Sequence, residues 1–487
     1  MGTVLGGLEP KLVWDIFEEM CKYPRPSKHE EKVVDYLMKW AEEHNFATAR
    51  DKAGNIVVKV PATPGWENKA TVVLQGHLDM VPEKNKETQF DFLKDEIRPL
   101  IDGEWVTADG TTLGADNGIG VAAGMAVAID ESVEHGPLEL LMTLDEETGL
   151  TGAQGLESGM LEGKILLNLD SEEDGALFIG CSGGLDTRGK RSVALEDVAD
   201  GALGYEIIVK GLKGGHSGLE IQKQRGNAIK ILGRLLWNLT KDYEVDLCEL
   251  EGGNKRNAIP RESSAIVAVS PHHETALKKY VEDYDKIVKA ELSSVDPNVA
   301  IEAKKIDAPG KRFDKASRDA TLDLIQAIPH GVMRMSDDME DMVQTSTNLA
   351  TIKFEEGAVH VGTSQRSSVD SEITALGDQV ISCLRLADFE VDQGDGYPGW
   401  KPNVDSEIKN IVSTAHADLF GEAPEVTAIH AGLECGIIKE RYPEMDMISF
   451  GPTIEGPHSP DERVNIETVE RFHKLLVETL KRIPDAK

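Results

Sequence analysis

An α/β domain on a mixed, largely parallel sheet, interrupted by an inserted α+β domain, is the fold class that three features of this chain predict. Short apolar runs that read as buried strands alternate with helix-length segments at both ends of the sequence. The middle, from Thr187 to about Gly396, changes texture and carries longer helices between its strands. A chain of 487 residues also exceeds what one hydrophobic core usually fills. The expected boundaries are 1–186 and 399–487 for the first domain, in two parts, and 187–398 for the insertion.

Taken in order, Lys11 to Tyr23 has Leu12, Phe17 and Met20 spaced for one buried helix face. Ser27 and Glu30 have the spacing of a capping box opening a second helix through Val33, Leu37 and Trp40. Strands are expected at Asn55–Val60, closed by the Pro61–Gly65 turn, and at Thr71–Gln75, which runs into His77-Leu-Asp-Met80. The segment T-T-L-G-A-D-N-G-I-G, from Thr111 to Gly120, passes into a small-residue helix over Val121–Ile129. Leu140–Leu144 reads as a buried strand, and Lys164–Leu169 as another, ending in Asp170.

Inside the insertion, strands Tyr205–Val209 and Ala265–Val269 flank a helix from Asn227 to Leu239. The strand-then-helix order recurs at Asn348–Phe354, Ala358–Val361 and Glu372–Leu386, a pattern of internal duplication. Gly394–Gly399 reads as the return linker. Strand Asp446–Phe450, loop Gly451–Pro460 and helix Ile466–Ile483 then resume the α/β texture.

Composition excludes some functions. The net charge of −34 opposes binding to the nucleic-acid backbone or to anionic lipid. Five cysteines (Cys21, Cys181, Cys248, Cys383, Cys435) are scattered without a C-x-x-C pair, as expected for reduced thiols in a cytoplasmic protein. The N-terminus lacks a basic region followed by an apolar core, Gly6 replaces the Ser or Thr of a myristoylation signal, and no apolar run is long enough to span a bilayer. A cytoplasmic location with neither membrane nor nucleic-acid partners is the expectation.

The Leu140–Leu144 strand ends in Asp145, Glu146 and Glu147, with no Lys or Arg before Lys164. Three carboxylates at the end of a core strand are costly unless a positive charge joins them. In open α/β sheets, ligands collect beyond the carboxyl ends of the strands. Four such ends here carry metal-ligand residue types: His77 with Asp79, Glu146 with Glu147, Asp170, and His458. Asp116 joins them from a glycine-flanked loop. This nitrogen-and-oxygen set without sulfur suits Zn²⁺, Mn²⁺ or Co²⁺, and it exceeds the needs of one tetrahedral ion. A two-metal hydrolytic site would use them all.

Taken singly, each residue has a plainer reading: His77 as a core histidine, Asp116 as a helix cap, Asp170 as the start of a polar loop. Other motifs fail. The loop Asp170–Gly175 is no calcium loop, since Glu172 and Cys181 occupy positions that need other residues. Gly118-Ile-Gly120 is a weak dinucleotide fingerprint, because Asp116 would repel a pyrophosphate. Gly215-His-Ser-Gly218 is not a nucleophile elbow.

H-L-D-M at His77–Met80, G-A-D-N-G at Gly114–Gly118, D-E-E at Asp145–Glu147, L-D-S at Leu169–Ser171 and G-P-H-S-P at Gly456–Pro460 resemble the M20 family of di-zinc peptidases. With G-G-H-S-G, R-N-A-I-P-R, H-A-G-L-E-C-G and Y-P-G-W, the match runs collinearly along nearly the whole chain and resembles that family's aminoacyl-histidine dipeptidase branch, with carnosinase-like activity. The resemblance implies two divalent ions, Zn²⁺ first and Mn²⁺ or Co²⁺ as alternatives. Asp116 would bridge them, with Glu147 and His458 on one ion and His77 and Asp170 on the other. Asp79 would orient His77. Glu146 would be the general base that takes a proton from the metal-bridging water and passes it to the leaving amine. The insertion resembles the family's lid, from which His216 and Asn257 would hold the oxyanion and Arg366 would clamp the terminal carboxylate of a small peptide substrate. Gly432, in the catalytic-domain segment H-A-G-L-E-C-G, would offer a backbone contact. A cis peptide after Asp116 is also implied, and the resemblance allows a homodimer. Glu146 and all five ligand positions are filled, which argues against a non-catalytic binding protein. A tripeptidase or an acyl-amino-acid deacylase is the alternative among enzymes.

Overall fold

The structure, a computed structural model, describes residues 4–486. Helices α1 (Lys11–Met20) and α2 (Glu31–Glu43) lead into strands β1 (Ala47–Arg50), β2 (Ile56–Val60) and β3 (Val72–His77). Helix α3 (Ala115–Ile129) precedes β4 (Leu138–Thr143), β5 (Ile165–Asn168) and β6 (Ala176–Cys181). The insertion runs β7 (Gly183–Ser192), β8 (Leu203–Lys210), α4 (Ala228–Asp242), β9 (Asp246–Gly252), β10 (Ser263–Val269), α5 (Glu274–Glu291) and β11 (Ala300–Ile306). It continues with α6 (Lys315–Ala327), β12 (Gly331–Met335), β13 (Val343–Glu355), β14 (Ala358–Ser367), α7 (Asp370–Leu386) and β15 (Glu390–Gln393). The chain returns through α8 (Glu407–Phe420), β16 (Glu425–Ile429), α9 (Glu434–Arg441), β17 (Asp446–Ser449) and α10 (Ile466–Lys481).

Two compact units result. The first comprises 1–181, 400–428 and 433–487; the second comprises 182–399 and 429–432. The first unit holds an eight-stranded sheet in the order β1-β2-β4-β3-β5-β17-β6-β16. Its central strands are parallel: β4 with β3, β3 with β5, and β5 with β17. The β1–β2, β2–β4 and β17–β6 pairs are antiparallel. All six residues of β3 and of β4 are buried, which is why they read as continuous apolar runs rather than alternating ones. The parallel centre carries the site, because parallel strands deliver all their carboxyl ends to one edge.

The inserted unit holds a nine-stranded sheet, β11-β8-β10-β9-β13-β14-β7-β15, with β12 added on β13. Its strands pair antiparallel. The duplication legible in the sequence takes a definite form here. Elements β8-α4-β9-β10-α5-β11 make one β-α-β-β-α-β unit with spatial strand order 4-1-3-2. Strand β7 with α6-β13-β14-α7-β15 makes a second of the same order, and the first is nested between β7 and α6. The two halves of the sheet meet through two residue pairs of β9 and β13, Glu251 with Lys353 and Gly252 with Ile352.

The predicted capping box does not form. Ser27 Oγ donates to Asp79 Oδ2 at 2.7 Å, and Glu30 accepts from the Lys28 and Asp145 N–H groups at 2.9 and 3.0 Å. The buried Asp79 carboxylate takes the Ser27 hydroxyl, and two backbone N–H groups take the Glu30 carboxylate. The first helix stops at Met20 rather than Tyr23, and Cys21 caps it. Among the described residues no helix is long and apolar enough to cross a membrane.

Candidate metal centre

Strand register brings the predicted residues together. His77 ends β3 and pairs with Thr143 at the end of β4, so the acidic turn Asp145–Glu147 starts beside it. Asp170 lies two residues past β5, and His458 lies on the loop after β17. Asp116 enters from the first turn of α3, where it and Asn117 have non-helical backbone angles, and the Asp116–Asn117 peptide is cis.

The carboxylate of Asp116 faces both imidazoles. Its Oδ1 is 3.0 Å from His77 Nε2 and its Oδ2 is 3.2 Å from His458 Nε2. His77 Nε2 is also 3.3 Å from Asp170 Oδ1, and His458 Nε2 is 2.9 Å from Glu147 Oε2. Two clusters thus share Asp116: His77–Asp116–Asp170 and Asp116–Glu147–His458, with ligand atoms within 4.8 Å of one another in each. Glu146 stands in a third such group with His77 and Glu147.

The donor chemistry fits a cation. His77 Nδ1 lies 3.1 Å from the Asp79 carbonyl, which fixes its proton there. A neutral ring then turns a lone pair at Nε2 toward two carboxylate oxygens, an arrangement that is repulsive unless a proton or a cation lies between. One proton cannot serve both acceptors, and Asp170 Oδ1 is buried without a donor. Protons already show the strength of that field. Burial alone would lower the His77 pKa, yet Asp170, Asp116 and Asp79 hold it well above the usual value. Hydrogen bonds to Asp116 and Glu147 push His458 up to about 11.

The carboxylates respond to the same crowding. Burial, then the neighbouring acids, raises Asp170 to about 6 and Glu146 well above the ordinary glutamate range, with His77 opposing both. Burial raises Glu147 as well, against a hydrogen bond from His458. Asp79 does more than the resemblance implies. Its carboxylate accepts the N–H groups of Glu146 and Glu147 at 3.0 and 3.2 Å, fixing the backbone of both glutamates together.

Four carboxylates and one cation near the site escaped the sequence reading. Glu172 shares a hydrogen bond with Asp116 and is raised to about 9 by burial, then by Asp116 and Asp170. Fully buried Glu434 accepts from Gln75 Nε2 and Thr143 Oγ1, both at 2.6 Å, and burial raises it to about 7. Glu30 holds the Asp145 N–H at the left-handed start of the acidic turn. Glu462 and Arg25 grip backbone groups of the ligand loops. Glu172, two residues past Asp170, and Glu462, four past His458, stand close in sequence to predicted residues; the others act across long stretches of sequence.

The inserted unit gathers its own set. His216 Nδ1 accepts from the Gly218 and Leu219 N–H groups at 3.2 and 3.1 Å, so its proton resides on Nε2. Burial and nearby Arg366 lower it to about 4, keeping the ring a neutral N–H donor. His216 pairs with Ala258, and the Asn257 carbonyl accepts from Ser217 N–H at 2.8 Å, so Asn257 stands beside it with an exposed side chain. Arg366 is only 7% exposed, its Nε lacks a partner, and its Nη1 lies 3.4 Å from Tyr397 Oη. Gly432 was expected in the catalytic domain but belongs to the inserted unit. The His430 ring accounts for that, because its two nitrogens lie 2.7 Å from the Ser182 and Ser346 hydroxyls. The Ser182 N–H also donates to the Ile429 and Ala431 carbonyls.

Known proteins match this chain along most of its length. The family model described as Peptidase family M20/M25/M40 matches residues 73–482. The cytosol non-specific dipeptidase of Escherichia coli (strain K12) is 45% identical over 480 residues, 99% of each chain. The crystal structure of aminoacylhistidine dipeptidase from Vibrio alginolyticus superposes with a TM-score of 0.92 at 44% identity, covering 99% of each chain. A tripeptidase from Staphylococcus aureus, at 16% identity and a TM-score of 0.57 over 98% of this chain and 99% of its own, shares the fold.

Proposed function

This chain belongs to peptidase family M20/M25/M40, and from that premise we propose that it is a cytosolic metal-dependent dipeptidase that cleaves peptides with a carboxyl-terminal histidine, β-alanyl-histidine among them. The observation that carries the reading is the Asp116 carboxylate facing an imidazole on each side, each imidazole backed by a further carboxylate. His77, Asp116 and Asp170 would hold one divalent ion, and Asp116, Glu147 and His458 the other, Zn²⁺ being the first choice. Ions held there supply Lewis acidity and lower the pKa of the attacking water.

The chain's own groups do the rest. Glu146 takes a proton from that water and delivers it to the leaving amine; burial and neighbouring acids raise its proton affinity, which suits a shuttle that must hold the proton between the two steps. Asp79 fixes the Glu146 backbone and the His77 tautomer. The neutral Nε2–H of His216, with the Asn257 side chain, donates to the developing oxyanion. Arg366 takes the substrate's terminal carboxylate, and the unpartnered Nε is the atom that such a group would satisfy.

Substituting Glu146→Gln tests the mechanism. The expected variant binds both ions, by metal analysis, and loses roughly 10³-fold or more in kcat; unaltered turnover would remove Glu146 from the chemistry. A second, broader specificity is favoured by the relative named non-specific. A panel of Xaa-His and other dipeptides, run on metal-stripped protein refilled with Zn²⁺, Mn²⁺ or Co²⁺, separates the two: comparable kcat/KM across the panel would replace histidine preference with general dipeptidase activity.

A further inference from the structure

Three ligand-bearing loops converge on the metal centre from distant parts of the first unit, and two buried opposite charges hold them. Glu462 is 2% exposed and lies on the same loop as His458. Its Oε2 accepts from Leu113 N–H at 2.7 Å and Gly114 N–H at 2.9 Å; its Oε1 accepts from Ala115 N–H at 2.7 Å and Asp116 N–H at 3.3 Å. Four consecutive N–H groups turned on one carboxylate form an anion nest, and the left-handed conformation of Gly114 (φ 73°, ψ 30°) makes the concavity. Arg25, also 2% exposed, donates from Nη1 to the carbonyls of Leu78 (3.0 Å) and Asp79 (3.3 Å) and from Nη2 to that of Gly114 (2.6 Å).

Gly114 therefore lies between the two charges, its N–H on the carboxylate and its carbonyl on the guanidinium. Nothing larger fits there, since a Cβ would lie 2.6 Å from Arg25 Nη2. Glu462 ties the Asp116 loop to the His458 loop, and Arg25 ties the Asp116 loop to the His77 loop. An isolated buried charge of either sign would be costly, so each makes the other tolerable. These side chains bond backbone groups only, which fixes where the ligand side chains start.

We propose that Glu462 and Arg25 are positioning residues that preorganise the Asp116, His77 and His458 loops, so that the paired ion positions exist before any ion binds. This rests on the two-ion reading of the site. Metal-stripped full-length protein is titrated with Co²⁺ alone, following both calorimetry and visible absorption. Wild type is expected to take two ions. Glu462→Gln keeps the side-chain size but turns an N–H donor toward the nest. It is expected to bind Co²⁺ at least tenfold more weakly with an altered spectrum, and to lose kcat with KM for a dipeptide changed less than twofold. Its metal-free melting temperature is expected to stay near that of wild type.

Wild-type Co²⁺ affinity in Glu462→Gln overturns the proposal and leaves the two-ion reading standing. A large fall in the metal-free melting temperature with unchanged affinity also overturns it, as a merely structural role. Failure of wild type to take two ions overturns the two-ion reading itself. If Glu462→Gln does not fold, hydrogen exchange of the wild-type 113–116 amides decides. Protection in metal-free protein supports preorganisation, and free exchange until Co²⁺ is added overturns it.

Discussion

Arg366 shows what a single side chain can be asked to do. A guanidinium that is 7% exposed, with an orphaned Nε and one long contact to Tyr397, is poorly compensated by the protein alone. A substrate carboxylate would complete it. Arg366→Ala is therefore expected to raise KM for free-carboxylate dipeptides by roughly 10–100-fold, a loss of about 1.5–3 kcal/mol typical of a charge-assisted hydrogen bond, while kcat moves less. Carboxyl-amidated dipeptides, lacking the anion, should show little difference between the two proteins; equal losses on both substrates would count against the clamp. The legibility of the site follows the same chemistry. His77, Asp116, Glu146, Glu147, Asp170 and His458 could be picked out because their residue types stand at strand ends and in glycine-flanked turns. Arg25, Glu30 and Glu434 could not, because they serve backbone groups or a buried polar layer far along the chain; Glu462 stands near His458 in sequence, but it serves only backbone N–H groups of a distant loop.

At the scale of elements, periodicity and apolar runs located the strands and helices that carry the site to within a few residues at each end. They failed where a side chain had a better partner elsewhere: Ser27 and Glu30 left the helix terminus for Asp79 and the acidic turn. The Ala176–Cys181 strand is missing from the sequence reading, although all six of its residues are buried in the sheet. The narrow β9–β13 junction between the nested halves yields a prediction of its own. Gly253 adopts φ +67° beside it, and a Cβ there would lie 1.9 Å from the Ala350 carbonyl oxygen. Gly253→Ala must move the β13 backbone or leave the left-handed region, and should destabilise the inserted unit by about 2 kcal/mol or more. Thermal melts should register the loss. Metal stoichiometry should remain that of wild type, because every candidate ligand belongs to the first unit.

For the whole molecule, the two units respond to acid in opposite directions when metal is absent. In the first unit Asp170 is raised to about 6, Glu434 to about 7 and Glu172 to about 9, each by burial first, and His458 reaches about 11 through Asp116 and Glu147. Groups with raised folded-state pKa bind more protons in the native state. Burial lowers His135 and His473 of the same unit and opposes this in part, but the three buried carboxyls outnumber them, so lowering the pH from about 9 toward 5 stabilises the metal-free unit. In the inserted unit, burial lowers His330 and His216 to about 4 and His430 to about 3, helped by Lys230, by Arg366, and by Arg366 with His216 respectively. Their neutral forms support the fold fully above the unfolded value of about 6.5, and that support is lost as pH falls toward 4, on the order of 3 kcal/mol for a buried ring such as His330. Scanning calorimetry of chelated protein between about pH 5 and 6.5 should therefore show one transition rising and the other falling with acid; Gly253→Ala identifies the second by lowering it alone. Adding Zn²⁺ should reverse the slope of the first transition, because His77 and His458 must surrender protons to bind ions and acid then competes with metal. A first transition whose acid slope is the same with and without Zn²⁺ would mean that these imidazoles do not hold the ions.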